Sequence, residues 1–309
     1  MDYICSNENR LWGCKGDEIF CSKLGDIFNF AVFDGISTDS WSTPVLSSGD
    51  FTGCVSYLGY PLFFKSDMIY KVYGSKASDF QVLASASLGI AESGSKSLAI
   101  AGETLFYQSR VGIVAYTGGI PQSVSGPFGM DKYRNAVGGS DGIKYYVSME
   151  DTSGVWHFFT YDTRVNLWHK EDNIRVSGLA WDEYLCYLKD DGTIWAIDPS
   201  IVPTGATQEG VISSIAEFGD FIEGSPNKKA VSKIQLRLSV EQGATVTVQI
   251  KYDSEGLWQT VSTLSPDKKR SYYLPIIPRR NDHYRIRILG TGDWKLYSMA
   301  REYYHGSEN

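Results

Sequence analysis

A short apolar and aromatic strand that follows a tight turn recurs through the first two hundred residues. Its clearest copy lies in residues 96–116, where two glycine-containing turns separate three strand-like runs, which is typical of consecutive β-hairpins. The copies lie 43, 43, 40 and 40 residues apart when these reference residues are compared: Phe20, Phe63, Phe106, Tyr146 and Cys186. A period of roughly 40–50 residues with about four short strands is typical of propeller blades. The spacing therefore predicts one β-sheet module repeated about five times.

The repeats set the expected bounds of the first domain. We place them at about 1–48, 49–93, 94–133, 134–172 and 173–200. The first repeat begins at the first residue, which would leave it without an outer strand. Five repeats are near the low end for a closed propeller, so two alternatives stay open: a ring closed within the chain, or one completed by another chain. Residues 199–210 are expected to form a linker.

The pattern changes after this linker. Residues 233–240, 244–252 and 284–288 alternate apolar and polar side chains, which indicates strands that bury one face and expose the other. Seven or eight such strands predict an antiparallel β-sandwich or jelly roll. The predicted fold is thus all-β, with a propeller of about five blades at 1–200 and a jelly-roll-like sandwich at 201–309.

Composition excludes several classes of function. The net charge of −7 and the pI near 5.2 argue against a nucleic-acid-binding surface, which needs clustered Lys and Arg. No apolar run approaches ~18 residues, so no membrane span is expected. The cysteines are odd in number and form no C-x-x-C pair: Cys5, Cys14, Cys21, Cys54 and Cys186. We interpret them as small buried hydrophobic residues of a protein made in a reducing cytoplasm, without zinc.

The sequence offers little catalytic chemistry. No histidine lies in an H-E-x-x-H motif, and there is no G-x-S-x-G elbow or Gly-rich phosphate loop. His157 and His169 flank one predicted hairpin, so a metal site between them is the alternative to a polar strand face. The carboxylates fall mostly in turns, where they cap backbone N–H groups. We therefore predict no catalytic residue, no metal and no cofactor.

Two surface features are candidate binding sites. The first is a basic patch that could dock an acidic partner surface, and its members are Lys268, Lys269, Arg270, Arg279 and Arg280. The alternative is a solvated sheet edge whose charges discourage edge pairing. The second is an aromatic platform for sugars, formed by Trp258 and Tyr272. Alternation predicts that only one of Tyr272 and Tyr273 faces solvent, and core packing is the competing interpretation.

The fourth repeat resembles a kelch-type blade through glycines near Gly139, the pair Tyr161-Asp162, and Trp168 six residues after the aspartate. The resemblance implies that Asp162 ties a turn and that Trp168 packs between blades. Both implied roles are structural.

Longer segments resemble bacteriophage proteins. Residues 230–238, 250–256 and 274–290 resemble uncharacterised virion proteins of tailed phages of Gram-positive bacteria, and residues 8–13 and 22–26 resemble the propeller of tail and tail-hub proteins. The resemblance implies a non-enzymatic structural tail protein, or one of the head–tail junction, in the virion. Assembled in the host bacterial cytoplasm, it would act by protein–protein contacts with other virion proteins in multiple copies. The alternative is a receptor-recognition module that binds host cell-surface glycan. A third hypothesis is a propeller glycosidase.

Overall fold

The computed structural model describes residues 1–198, 205–207, 209–224, 228–253, 256–265 and 267–305. The chain divides into two compact units, Met1–Ile201 and Val202–Asn309. Most of the linker predicted at 199–210 lies outside the described residues. Within the described ranges, no helix is both long enough and apolar enough to cross a membrane.

The first unit consists of five small antiparallel sheets, each a meander of consecutive strands. Sheet 1 contains β1 (Tyr3–Asn7), β2 (Arg10–Lys15), β3 (Glu18–Cys21) and β4 (Trp41–Pro44). Sheet 2 contains β5 (Gly53–Tyr57), β6 (Tyr60–Phe64), β7 (Met68–Tyr73) and β8 (Gln81–Ala86). Sheet 3 contains β9 (Ala99–Ala101), β10 (Thr104–Ser109), β11 (Gly112–Tyr116) and β12 (Gln122–Ser123). Sheet 4 contains β13 (Tyr133–Ser140), β14 (Lys144–Asp151), β15 (Trp156–Asp162) and β16 (Leu167–Asp172), and sheet 5 contains β17 (Val176–Trp181), β18 (Leu185–Lys189) and β19 (Ile194–Ala196). Short 3₁₀ helices at Glu92–Ser97 and Gly126–Phe128 precede sheets 3 and 4.

Tight turns join the first and second strands of sheets 1, 2 and 3. In sheet 1 the two turn residues are Glu8 and Asn9, with φ of 48° and 59°. In sheet 2 they are Leu58 and Gly59, with φ of 51° and 79°. Two successive residues at positive φ match the twist of a two-residue hairpin to that of its strands. These turns therefore place corresponding strands of neighbouring sheets in similar positions.

Neighbouring sheets pack face to face through four clusters of buried side chains. Sheets 1 and 2 share a core that contains Trp12 and Phe63, and sheets 2 and 3 share one that contains Phe64. Phe106 of sheet 3 stacks on Tyr145 of sheet 4, with ring centroids 5.1 Å apart. The fourth cluster joins sheets 4 and 5. In the part of the chain that the structure describes, no cluster of buried residues joins sheet 5 to sheet 1.

The predicted β-sheet repeat is confirmed, but the reference residue of its first copy lies in a different strand from the others. Phe63, Phe106, Tyr146 and Cys186 all lie in the second strand of their sheets, whereas Phe20 lies in the third strand of sheet 1. Sheet 1 has four strands, and sheet 5 is the one with three. The prediction that the first repeat lacks an outer strand was therefore wrong.

The kelch-like features have the structural roles that their resemblance implies. Asp162 Oδ1 accepts hydrogen bonds from the backbone N and the Nε of Arg164, both at 3.0 Å, which ties the β15–β16 turn. Trp168 packs into the core between sheets 3 and 4. The first contact orders the turn, and the second contributes to the packing of sheet 4 on sheet 3.

The second unit is a β-sandwich. Its described strands are β20 (Ser213–Glu217), β21 (Lys229–Val240), β22 (Thr245–Tyr252), β23 (Gln259–Leu264), β24 (Asp267–Tyr273), β25 (Tyr284–Thr291) and β26 (Trp294–His305). Sheet 6 has the order β20-β25-β22-β23, and sheet 7 has the order β24-β21-β26. Alternate residues such as Leu236 of sheet 7 and Val248 and Ile286 of sheet 6 fill one shared core. The all-β fold predicted from sequence, a propeller followed by a sandwich, is confirmed.

Candidate functional site

Two hairpin turns of neighbouring sheets are linked at one end of the first unit. Asn7, at the end of β1, donates its Nδ2–H to the carbonyl oxygen of Gly59 over 3.3 Å. Its Oδ1 accepts a hydrogen bond from the Oγ of Ser56 at 2.8 Å. One asparagine therefore holds the β1–β2 turn beside the β5–β6 turn, and a cleft opens next to them.

The cleft has a volume of about 270 Å³. Its lining includes Asn7, Glu8, Arg10, Trp12, Tyr60 and Phe80. A wider depression of about 660 Å³ shares Asn7, Glu8 and Arg10 with it and extends to Leu24 and Ile27. The shared residues make the two one continuous concave surface at the junction of sheets 1 and 2.

Aromatic rings form the apolar walls of the cleft. Trp12 and Phe80 meet edge to face with centroids 5.0 Å apart. The ring centroids of Tyr60 and Tyr73 lie 5.0 Å apart, and the Nζ of Lys71 lies 3.8 Å from the Tyr60 ring centroid. Edge-to-face pairs and a cation over a ring both stabilise fixed ring positions. The walls are therefore preformed.

Arg10 contributes a buried positive charge to the cleft. The residue is 3% exposed, and its Nη1 donates to the carbonyl oxygens of Ser22 and Asp39, both at 2.7 Å. Its Nη2 donates to the carbonyl oxygen of Ser37 at 3.0 Å, and its guanidinium lies 5.5 Å from the Phe80 centroid. Carbonyl dipoles solvate the cation, but no carboxylate among the described residues forms an ion pair with it.

Trp12 adds a buried donor to the same wall. Its side chain is 2% exposed, and its Nε1 has no hydrogen-bond partner among the described residues. A buried N–H without an acceptor costs about 1–3 kcal/mol. Glu8, which is exposed, is the carboxylate among the described residues that line the cleft.

The basic patch predicted from sequence lies on and after an edge strand. Lys268 and Lys269 belong to β24, which pairs with β21 alone in sheet 7, and their side chains are outside the described ones. Arg270 is exposed, and Arg279 lies 5.7 Å from the ring centroid of Tyr252. Arg280 is exposed in the loop after β24. Docking of an acidic partner at this edge stays a prediction.

The two residues of the predicted sugar platform lie in or next to the edge strands of the sandwich, β23 and β24. Tyr272 packs against the sandwich core, and its neighbour Tyr273 is 61% exposed, so the expectation that one of the two faces solvent is confirmed. Trp258 precedes β23 of the other sheet, and the guanidinium of Arg287 lies 4.3 Å from its ring centroid. A shared sugar-binding surface of Trp258 and Tyr272 stays a prediction.

The histidine pair considered for a metal is separated. His169 pairs with Thr160, which shares a face of sheet 4 with Phe158, whereas His157 lies on the face of Phe159. His157 instead lies 2.8 Å from a carboxylate oxygen of Asp151. The two imidazoles therefore lie on opposite faces of sheet 4.

A different group in the second unit brings three possible metal ligands together. One ligand atom each from Asp253, Asp282 and His283 lies within 4.8 Å of the others. The His283 Nδ1 lies 2.6 Å from Asp282 Oδ1, and the backbone N of Asp282 donates to Asp253 Oδ1 at 3.0 Å. Both aspartates are exposed, and these internal contacts account for the grouping.

The cleft itself was missed from sequence. Its residues come from β1, β2, β6, β7, the β1–β2 and β5–β6 turns and the segment before β8, so no linear motif contains them. The sequence does contain one indication of the cleft: the turns Glu8-Asn9 and Leu58-Gly59 occupy the same position in successive repeats. That match would have placed the turns side by side.

Comparison with known proteins assigns this chain to no family. No family model matches the chain, and no curated protein sequence matches it. Among solved structures, an exo-β-1,3-galactanase from Phanerochaete chrysosporium is 10% identical with a TM-score of 0.31, covering 94% of this chain and 96% of that one. A glycoside hydrolase family 43 arabinoxylan arabinofuranohydrolase from Bacillus subtilis is 10% identical with a TM-score of 0.22, over 95% and 94%. An R1 pyocin fibre from P. aeruginosa is 9% identical with a TM-score of 0.15, over 92% and 87%.

These comparisons correct the function predicted from sequence. The galactanase and the arabinofuranohydrolase are glycan-hydrolysing enzymes, which contradicts the prediction of a non-enzymatic structural protein of a phage virion. The tail, head–tail and virion assignments find no support and are withdrawn. At these identities and TM-scores, the likenesses transfer no activity, ligand or site residue to this chain.

Proposed function

We propose that the cleft at the junction of sheets 1 and 2 binds carbohydrate, and that the chain is a glycan-active protein. The observation that carries the proposal is the combination found in this cleft: aromatic side chains of Trp12, Tyr60 and Phe80 in its walls next to the exposed carboxylate of Glu8. Ligand sites are concave and mostly apolar, with a few polar groups that fix orientation. The cleft matches that description.

A sugar ring has the complementary chemistry. Its C–H faces pack on aromatic rings such as Tyr60 and Phe80, while its hydroxyl and ring oxygens accept hydrogen bonds. The Glu8 carboxylate accepts from a hydroxyl group, and such charge-assisted bonds are stronger than neutral ones.

Cleavage of the sugar would need more than this cleft shows. Glycoside hydrolysis uses two carboxyl groups on either side of the bond, separated by about 5–10 Å. Glu8 supplies one carboxylate, and the described lining residues supply no second one. The geometry therefore supports binding, and turnover is a separate readout of the same experiment.

The test is calorimetric titration of the full chain with a panel of neutral and uronic-acid oligosaccharides, together with an assay for released reducing ends. Tyr60→Ala is expected to weaken binding at least tenfold, and Glu8→Gln is expected to weaken it severalfold. The matched controls are Phe33→Ala and Glu92→Gln, which change exposed side chains outside the cleft and should leave the affinity unchanged. The proposal fails if no saccharide binds the folded chain, or if folded Tyr60→Ala binds as well as the unmodified protein.

A further inference from the structure

Within the described part of the first unit, one face of sheet 5 packs on no other sheet. Cross-strand pairing places two rows of residues on this outer face: Ala180, Cys186 and Ala196, and Gly178, Leu188 and Ile194. All six are small or apolar. Leu188 is 39% exposed and Ile194 is 72% exposed. The opposite face of sheet 5 is the one that packs on sheet 4.

The first sheet has an open face as well. Trp12, Cys14, Ile19 and Cys21 point toward sheet 2, so the alternate residues point outward. Ile4 on this outward face is 60% exposed, and Leu11 and Phe20 are half-buried. Met1 lies over the same face at Gly13. The charged residues of the face, Lys15 and Glu18, lie at its end next to the β2–β3 turn.

The two open faces correspond to the two sides of every internal interface. Phe106 and Ile113 form the side of sheet 3 that faces the next sheet, and Tyr146 and Phe158 form that side of sheet 4; all four are at most 4% exposed. Leu188 and Ile194 occupy the corresponding side of sheet 5. This side is covered in sheets 1 to 4 and open in sheet 5.

The same comparison holds for the side that faces the preceding sheet. Phe63 in sheet 2, Leu105 in sheet 3 and Tyr145 in sheet 4 lie on that side, and each is fully buried. Ile4 lies on that side of sheet 1 and is exposed. Among the described residues of the first unit, no sheet packs on this side of sheet 1, and none packs on the opposite side of sheet 5. The open faces of sheets 5 and 1 therefore correspond to the two faces that meet in each internal interface.

We infer that copies of this chain associate head to tail, with sheet 1 of one copy packing on sheet 5 of another. A second copy is the occupant because every copy carries both halves of the repeated interface, while the described residues of one chain form no core between them. Contiguous exposed apolar surface marks such contact sites. The contact joins two different patches, so it is heterologous and does not stop at a dimer unless the assembly closes into a ring.

The experiment is sedimentation of the full chain over a range of concentrations. The unmodified protein is expected to increase in mass as concentration rises. Ile4→Asp blocks one face and Ile194→Asp blocks the other, and each variant alone should associate at least tenfold more weakly. An equimolar mixture of the two variants retains one intact pair of faces and should give a one-to-one dimer and nothing larger. Leu83→Asp, which changes an exposed residue of β8, should associate like the unmodified protein.

Two outcomes overturn the inference. One is an unmodified chain that stays monomeric up to millimolar concentration, or a variant mixture that forms no dimer. The other is a monomer whose melting temperature falls equally in Ile4→Asp and Ile194→Asp at every concentration, which would mean that the two faces meet within one chain. Neither residue lines the carbohydrate cleft, so this test is independent of the proposed function.

Discussion

The indole Nε1–H of Trp168 donates to the carbonyl oxygen of Val124, a residue 44 positions earlier, over a distance of 2.8 Å. The bond joins the outer strand of sheet 4 to the segment that leaves sheet 3. The ring of Trp168 also lies 4.8 Å from Phe128 and 5.0 Å from Tyr161. One side chain thus combines ring packing with a specific polar contact between two sheets.

Replacing this indole by a phenyl ring separates its two contributions. Trp168→Phe keeps an aromatic ring but leaves the Val124 carbonyl without its donor, so we expect the free energy of unfolding to fall by about 1–3 kcal/mol. Denaturant unfolding measures the change. Trp181→Phe, at a tryptophan that is 57% exposed, is the matched control and should change stability by less than about 0.5 kcal/mol. Equal losses in the two variants would contradict the role of the bond.

Arg10 is expected to stabilise the long connection between β3 and β4. It donates to the carbonyl oxygens of Ser22, Ser37 and Asp39, and Arg10→Met removes all three donors while keeping an apolar stem. We expect a loss of about 2–4 kcal/mol in the free energy of unfolding, because buried carbonyls are left unsatisfied. Arg110→Met removes an exposed arginine and should have little effect. Thermal and denaturant unfolding that show no difference between the two variants would refute this role.

Acid should weaken the β15–β16 turn through Asp162. The hydrogen bonds from the Arg164 side chain, together with its backbone N–H, hold the pKa of the Asp162 carboxyl well below its usual range. Because the pKa is lower in the folded state than in the unfolded one, the stabilisation is present above the unfolded pKa of about 4 and is lost as pH falls toward the folded value.

Asp162→Asn tests this dependence. The gap in melting temperature between the unmodified chain and Asp162→Asn is expected to be widest near neutral pH and to narrow steadily below about pH 4. Asp182→Asn, which changes an exposed carboxylate between β17 and β18, is the matched control. A gap for Asp162→Asn that stays constant from pH 7 to pH 3 would show that the ion pair does not stabilise the fold.

The thiols should differ sharply in reactivity. Burial raises the pKa of Cys21 to about 12, and contacts with the thiols of Cys14 and Cys5, followed by burial, raise the pKa of Cys54. Cys14 is fully buried, whereas Cys5 and Cys186 are half-buried. Since the thiolate is the reactive form, Ellman's reagent at pH 8 is expected to titrate only Cys5 and Cys186 rapidly, and all five after denaturation. Rapid reaction of more than two thiols in the folded chain would contradict the burial of Cys14, Cys21 and Cys54.

The wrong functional prediction has a structural explanation. Period, turn residues and aromatic content are shared by propellers with unrelated activities, because these features build sheets and do not build sites. The resemblance to phage proteins was carried by segments such as residues 8–13 and 230–238, which lie in strands and turns. Arg10, Trp12 and Tyr60, which line the cleft proposed to bind carbohydrate, come from two different repeats, and no spacing within a single repeat singles them out.

The repeat shows what local sequence patterns can predict about the strands and what they cannot. Side-chain alternation and tight turns identified the β-sheet module and the sandwich strands. They could not tell the second strand of sheet 1 from the third, because both hairpins offer an apolar strand after a polar turn. The error at Phe20 follows from that equivalence, and only the pairing of β1 with β2 resolves it.

Turn chemistry and the period of apolar residues act between neighbours in the chain, so the all-β composition and the repeated module were readable from the residues alone. Which buried donors lack partners, which sheet faces stay open and which turns meet depend on contacts between residues tens of positions apart. Asn7 meets Ser56 and Gly59 only because sheets 1 and 2 pack together. The cleft and the two open faces are therefore properties of the packed sheets, since packing decides which polar and apolar groups are left without a partner.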